Sequence, residues 1–274
     1  MTGYIHTYAP DEQARLIRQG EFLAPWTLSR LDLSERATVL EVGCGVGAQL
    51  RLLCRRFPGS RFVGVDLSRV QLARAREVLA EPLAAGQVEL AEASVHALPF
   101  PDDHFDACCV FWLLEHLDDP PSALREIHRV LKPGGILYCT EVFNAGLYAW
   151  PRQPAIESYW LAFNDLQRQL GGDPDIGIRL GALLAAAGFE RVEPREASPQ
   201  LDARMDEREE RLGFLDFWRT LLLSGATQLL RHGRISDADI EALHAAFAAL
   251  ADDPAALFRY AAFQARGTKP IRPS

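Results

Sequence analysis

Five short apolar runs, at 38–42, 61–66, 88–92, 105–110 and 136–142, punctuate the first half of the chain. The fourth is apolar at nearly every position, as expected of a parallel strand covered on both faces rather than one. Between them lie stretches with helical spacing. One runs from about Ala48 to Phe57 with Leu50, Leu53 and Phe57 inward. Another opens at Ser68 and Gln71, spaced for a capping box, and ends near Leu79. A third carries Leu124, Ile127, Val130 and Leu131 and is stopped by Lys132-Pro133-Gly134-Gly135. Strands alternating with helices predict an α/β, doubly wound parallel sheet.

The pattern differs on either side of this core. Pro10 with Asp11 and Glu12 suits a helix start, and Leu16, Ile17, Gly20 and Leu23 form its apolar face. After 142, Ile156, Tyr159, Trp160, Phe163, Leu166 and Leu170 mark an aromatic-rich amphipathic helix broken by Gly171-Gly172-Asp173-Pro174. Leu180, Leu183 and Leu184 lead a further helix ending at Gly188, and Val192 falls in a sixth strand. Residues 204–231 and 237–251 read as two more helices, and Phe258 to Gly267 alternates as a closing strand. The chain therefore divides, as one domain over 1–274, into a helical lid (1–30), a core (38–142), a region completing the sheet and capping it (143–257) and a closing strand (258–267).

The candidate chemistry begins where the first strand ends. Val39-Leu40-Glu41-Val42-Gly43-Cys44-Gly45-Val46-Gly47 reads as a strand passing through a glycine turn into a helix, and Asp66 closes the second strand. Glycines there let backbone approach a ligand, and an acid at that strand end can grip a ribose. Gly43, Gly45 and Ala48 also satisfy the looser dinucleotide spacing, so the glycines alone leave the ligand open. Glu41 tips the balance: a carboxylate at that strand end repels a pyrophosphate. S-adenosylmethionine (SAM) carries an ammonium and a sulfonium and no phosphate.

Composition narrows the class further. The net charge is −8, and lysine occurs only at Lys132 and Lys269, so no basic tract offers phosphate neutralisation to a nucleic acid. Cys44, Cys54, Cys108, Cys109 and Cys139 are odd in number and lack metal or disulfide spacing, which predicts reduced core thiols and no metal site. The N-terminus has no apolar signal core and no run approaches membrane-spanning length, so a cytoplasmic protein without a membrane partner is expected.

With these motifs assembled, the chain resembles the class I SAM-dependent methyltransferases, in the small-molecule branch that includes ubiquinone- and menaquinone-type enzymes. The resemblance rests on LEVGCGVG at 40–47, VGVDLS at 63–68, LPFPDDHFD at 98–106, LLEHL at 113–117 and LKPGG at 131–135, in the family's order and spacing, with AGFERVE at 187–193 like its penultimate segment. It implies a Rossmann-like seven-stranded sheet in the order 3-2-1-4-5-7-6 with only strand 7 antiparallel. It also implies a SAM site in which Gly43, Gly45 and the Cys44 backbone line the methionine and ribose, with Glu41 and Gln71 in the same set. Asp66 takes the ribose hydroxyls, Leu67 covers adenine, and the Phe111 carbonyl receives the ammonium. The family often has Gly-Asp-Ala before its LPF motif. Here Ala93-Ser94-Val95 stands there, so adenine recognition is expected to lean on the Ser94 hydroxyl and the Val95 amide.

Methyl transfer from a sulfonium is an in-line displacement that needs alignment and a dry pocket, and needs a base only if the acceptor arrives protonated. His116 and Glu141, past or near the ends of strands four and five, are the candidate acid/base residues, with Tyr148 as a possible acceptor-orienting group. Tyr4, His6 and Tyr8 form an N-terminal aromatic cluster, with Tyr8 expected to cover the cofactor. Phe143, Tyr159, Trp160, Phe163, Phe214, Phe217 and Trp218 either wall an apolar acceptor pocket or serve as core and homodimer contacts. The expected function is methyl transfer from SAM to a small, partly apolar acceptor, with O-methylation favoured. The alternatives are a catalytically silent SAM-binding or partner-binding protein on this fold and, opposed by Glu41, an NAD-dependent oxidoreductase.

Overall fold

A computed structural model describes residues 5–6 and 8–271; Tyr4 lies outside the described residues. The chain opens on helix α1 (Pro10–Thr27). The core then runs β1 (Thr38–Val42), α2 (Ala48–Arg56), β2 (Arg61–Asp66), α3 (Arg69–Val78), α4 (Ala80–Ala84), β3 (Val88–Glu92), β4 (Phe105–Phe111), α5 (Pro120–Val130) and β5 (Leu131–Val142). Beyond it come β6 (Tyr148–Trp150), α6 (Pro154–Gln169), α7 (Leu180–Ala186), β7 (Glu190–Glu196), β8 (Gln200–Leu201), α8 (Arg208–Leu223), α9 (Ala226–Arg231), α10 (Asp237–Asp252), β9 (Leu257–Arg259) and β10 (Ala262–Thr268).

Seven strands form one sheet in the order β3-β2-β1-β4-β5-β10-β7. All neighbours pair in parallel except β10, which runs antiparallel to both β5 and β7. Counted within this sheet, that is the expected order 3-2-1-4-5-7-6. Successive strand residues point to opposite faces, and here both faces are dry. Leu40, Cys108, Leu137 and Cys139 pack with α5 and α7 on one side, while Val39, Cys109 and Tyr138 pack with α2 and α3 on the other. All five cysteines are buried free thiols in these two layers, as expected.

A third apolar layer, centred on Trp218, Tyr159 and Phe258, knits α6, α8 and α10 into a cap. The single closing strand expected over 258–267 is two strands. β9 turns away from the main sheet and joins β6 and β8 in a small antiparallel sheet beneath the cap, and only β10 completes the large one. Three other expectations are refined. The helix expected over 204–231 breaks into α8 and α9 at Gly225. Strand β5 begins at Leu131, so LKPGG is a bulge within the strand, where Phe105 pairs with Leu131 but Ala107 pairs with Ile136. The capping box at Ser68 is half formed. Ser68 Oγ accepts the Gln71 N–H, but the Gln71 side chain accepts instead from Gln13 Nε2 of α1 at 3.0 Å. No helix among the described residues is long and apolar enough to cross a membrane.

Candidate active site

The parallel strands β1, β2 and β4 deliver their carboxyl ends to one place, where open α/β sheets bind ligands. The chain turns after Val42 on hydrogen bonds from the Gly43 and Cys44 N–H groups to the Val65 carbonyl, at 2.8 and 3.0 Å. Gly43, Gly45 and Gly47 all take left-handed φ, which lets the strand reverse into α2 within five residues. Asp66 is clamped by this turn: the Gly45 N–H donates to Oδ2 at 2.9 Å and the Ser68 N–H to Oδ1 at 2.8 Å.

A cavity of about 570 Å³ opens over these strand ends, a volume in the range that holds a drug-sized ligand. Tyr8, Glu41, Gly43, Cys44, Gly45, Asp66, Leu67, Gln71, Ser94, Val95 and Phe111 all line it, so the structure brings the whole sequence-read cofactor set together. Burial pushes the carboxyl groups of both Glu41 and Asp66 above their ordinary range, and the Asp66 charge adds to the effect at Glu41. Glu41 is 2% exposed, and its Oε2 has no hydrogen-bond partner. Two acids facing one cavity, one with an orphaned buried oxygen, fit a cationic ligand and repel a phosphate. SAM, with its ammonium and sulfonium, satisfies that requirement. Ser94 lines the cavity, with its Oγ accepting from the His96 N–H at 3.2 Å, while its own proton stays available to donate.

Helix α1 forms one wall of the cavity through Leu16, Gln19 and Gly20. Gln13 ties it to α3, and Gly20 packs so closely on α2 that an added Cβ would lie 3.0 Å from Ala48 Cβ. Tyr8, just before this helix, sits near enough to Asp66 that the carboxylate joins burial in raising its phenol pKa.

The two acid/base candidates part company. His116 lines the cavity from a short 3-10 turn, Leu114–His116, with its Nε2 3.8 Å from Glu115 Oε1. Glu141 lines neither this cavity nor the narrower one beside it. It is fully buried at the end of β5, and its carboxylate accepts the N–H groups of Leu113, Leu114 and Glu115 at 2.9, 2.7 and 3.4 Å, capping that turn. Burial and then the neighbouring Glu115 hold Glu141 well above the usual carboxylate range. Tyr148 and Trp150 are exposed on β6, away from the cavity.

A narrower cavity adjoins the first and shares Leu16, Gln19, Trp112 and His116 with it; His6, Arg15, Glu115, Asn144, Trp160 and Tyr260 are among its other walls. Of the aromatics expected to wall a pocket, Trp160 and Phe163 line the narrower cavity and the others line neither of these two. Tyr159, Phe214 and Trp218 are buried core, Phe217 stacks on Phe22 at 3.8 Å, and Phe143 packs on Phe263. Sequence reading passed over Trp112, Arg15 and Asn144. The only signal for Trp112 was its place two residues past the fourth apolar run.

Comparison with known proteins agrees with this geometry. Residues 40–139 match the model of a methyltransferase domain. A demethylmenaquinone methyltransferase of Lactiplantibacillus plantarum is 34% identical over 136 residues, which cover 49% of this chain and 54% of that protein. The crystal structure of the 4+2 cyclase SpnF superposes with a TM-score of 0.55 at 26% identity, covering 93% of this chain and 81% of that one. That of phosphoethanolamine N-methyltransferase 2 of Haemonchus contortus, in complex with S-adenosyl-L-methionine, gives 0.53 at 20% identity, covering 92% and 52%. The chain spans about half the length of the curated relatives it matches.

Proposed function

We propose, from the premise that residues 40–139 are a class I SAM-dependent methyltransferase domain, that this chain transfers the methyl group of SAM to a small, partly apolar acceptor, with oxygen as the methylated atom. The observation that carries the reading is the pair of raised carboxyl groups, Glu41 with an orphaned oxygen and Asp66 with both oxygens anchored, facing one cavity.

The bound sulfonium supplies an electrophilic methyl carbon; the chain's own residues hold, orient and shield. Glu41 offers its free oxygen to the methionine ammonium, and the anchored Asp66 presents its remaining lone pairs to the ribose hydroxyls. Leu67 and Val95 flank the adenine, Ser94 recognises its edge, and Tyr8 with α1 closes the site against water. His116, on the wall common to both cavities, is placed for the acceptor end of the displacement. On the acceptor side α6 and α8 contribute Trp160, Phe163 and Leu221 to the walls of the narrower cavity. Glu141 serves by holding the turn that carries His116, acting as a positioning residue through its three backbone bonds.

One observation favours a second reading. The SpnF match covers most of this chain, and that protein is described as a cyclase, so the same scaffold without methyl transfer is the competing function. Titration calorimetry with S-adenosylhomocysteine, followed by turnover of labelled SAM against an acceptor panel, separates the two. Binding with turnover supports the methyltransferase. Binding without turnover on any acceptor supports the second reading, and absence of binding sinks both.

A further inference from the structure

We propose that Glu115 is the proton acceptor for an un-ionised phenolic or enolic hydroxyl, whose oxygen enters the narrow cavity and receives the Trp112 indole N–H. This rests on the methyltransferase reading above and names the group that the acceptor presents.

Glu115 is the first observation. It is 7% exposed and lines the narrow cavity but not the larger one. Its Oε2 accepts from Gln167 Nε2 at 2.8 Å. Among the described residues its Oε1 accepts no hydrogen bond, and His116 Nε2 stands 3.8 Å away, beyond hydrogen-bond reach. A carboxylate buried this deeply with one oxygen unused is expensive, and the cavity at its side gives that oxygen a partner.

The fold also holds Glu115 still. Its N–H donates to Glu141 Oε2 at 3.4 Å, its carbonyl accepts the Asp173 N–H at 2.8 Å, and Gln167 ties its side chain to α6. Strand β5, helix α6 and the turn after α6 thus fix one carboxylate from three directions. A base positioned before the acceptor arrives needs little reorganisation during the reaction.

Trp112 is the second observation. It follows Phe111 at the end of β4 and takes a left-handed φ of 57°, a costly conformation for a bulky side chain. Its backbone is pinned there by a hydrogen bond from its N–H to the Thr140 carbonyl at 3.0 Å. The residue walls both cavities, yet its indole Nε1 is buried with no acceptor. A buried donor left unmade is costly, and a ligand oxygen at this shared wall removes the cost.

The other walls limit what can enter. The narrow cavity measures about 60 Å³, room for about four water-sized groups, so the edge of a ring enters and the rest stays in the larger cavity. Trp160 and Phe163 stack at 4.8 Å and offer flat apolar surface. Arg15 is engaged by Glu12 and Gln19, and Tyr260 donates to Asn144 at 3.0 Å, so neither donates to Glu115. A hydroxyl can donate to Glu115 and accept from Trp112 at once. An ammonium cannot accept, and a phenolate cannot donate and is repelled by the carboxylate.

In the step, the acceptor O–H bond breaks and its proton passes to Glu115 Oε1. An oxygen lone pair forms the C–O bond, and the C–S pair returns to sulfur. Carboxylate and sulfonium become carboxylic acid and thioether, so two opposite charges vanish together in a site poor in water. Glu115 returns its proton to solvent after product leaves.

The test uses 2-naphthol, which arrives with its proton, and pentafluorophenol, which is ionised at neutral pH. The wild-type chain should methylate 2-naphthol on oxygen. Glu115→Gln keeps an oxygen for Gln167 but cannot take a proton. It should lower kcat/KM for 2-naphthol about 100-fold or more and raise it for pentafluorophenol. Its S-adenosylhomocysteine affinity should match wild type, since Glu115 stands outside the larger cavity. A purely structural Glu115 would lower both phenols alike. Where Glu115→Gln melts early, Glu115→Asp carries the test: its carboxylate is drawn back, so it should lose about tenfold on 2-naphthol while still preferring it. With S-adenosylhomocysteine saturating, 2-naphthol should also move the Trp112 indole proton resonance, assigned through Trp112→Phe. The proposal is overturned by a wild-type chain that binds S-adenosylhomocysteine but leaves 2-naphthol unmethylated. It is equally overturned by a Glu115→Gln variant that keeps the wild-type preference between the phenols, or by an unmoved Trp112 resonance. Absence of S-adenosylhomocysteine binding in the wild-type chain overturns instead the methyltransferase reading on which the proposal rests.

Discussion

The Gly45 N–H donates to Asp66 Oδ2 across 2.9 Å, so the turn after the first strand and the acid at the end of the second are one structural unit. Neither can shift without the other. The carboxylate is oriented before any ligand arrives, which removes an ordering cost from binding.

Asp66→Asn should keep one acceptor for these backbone donors but lose the charge and one ribose interaction. A charged hydrogen bond is worth about 1.5–3 kcal/mol, so S-adenosylhomocysteine affinity should fall about 10- to 100-fold by titration calorimetry. Unchanged affinity would remove Asp66 from the site.

The raised Glu41 carboxyl gives a pH signature with a definite sign. A folded-state pKa above the unfolded value of about 4.3 means the ligand-free fold is favoured below that value and loses the advantage as pH rises through the folded pKa. A cationic ligand favours the ionised form, so SAM affinity should climb across the same window as pH rises, with proton release on binding. Glu41→Gln should flatten that climb, weaken SAM binding and raise the melting temperature of the ligand-free protein at neutral pH by a few degrees. Calorimetry in two buffers of different ionisation enthalpy counts the proton.

Two glycines of the turn should fail for different reasons. An added Cβ at Gly47 would lie 2.6 Å from Leu79 Cδ1 at a φ of +75°, so Gly47→Ala should cost about 2–4 kcal/mol of stability by denaturant melts. At Gly45 a Cβ meets nothing within 4 Å at a φ of +51°, and the residue lines the larger cavity. Gly45→Ala should cost about 1–2 kcal/mol of stability and chiefly weaken S-adenosylhomocysteine. Equal stability losses in the two variants would contradict this division.

Glu141→Ala removes the acceptor for three backbone N–H groups at once. Each orphaned buried donor costs about 1–3 kcal/mol, so a loss of about 3 kcal/mol or more is expected, with a large fall in melting temperature. A Glu141→Ala protein that melts like wild type but has lost turnover would instead make Glu141 a catalytic residue.

The sheet was legible because its evidence is local. Apolar runs buried on both faces, a glycine turn, an acid at a strand end and amphipathic spacing are all dictated within a few residues of chain, and the order of seven strands followed from recognising the set. The shared cavity of Glu41, Gly43, Gly45 and Asp66 was legible for the same reason, since they sit at strand ends whatever the rest of the chain does.

What lies beyond the sheet was decided by tertiary packing. Nothing local says that the alternation after 257 splits, with Phe258 buried under Trp218 and Phe263 in the main sheet. An aromatic stripe reads identically whether it meets a ligand or a neighbouring helix, so Trp160 could not be told from Trp218. Glu141 and His116 looked alike as titratable groups at strand ends. Only the path of the chain from Leu113 to Glu115 turned one into a buried acceptor of backbone N–H groups and left the other on the cavity wall. Arg15 on α1, Trp112 after β4 and Leu221 at the end of α8 are far apart in sequence and meet only because α1 packs against both α2 and α8. Local chemistry is written in neighbours, and the narrower cavity is built from residues that are not neighbours until the chain has folded.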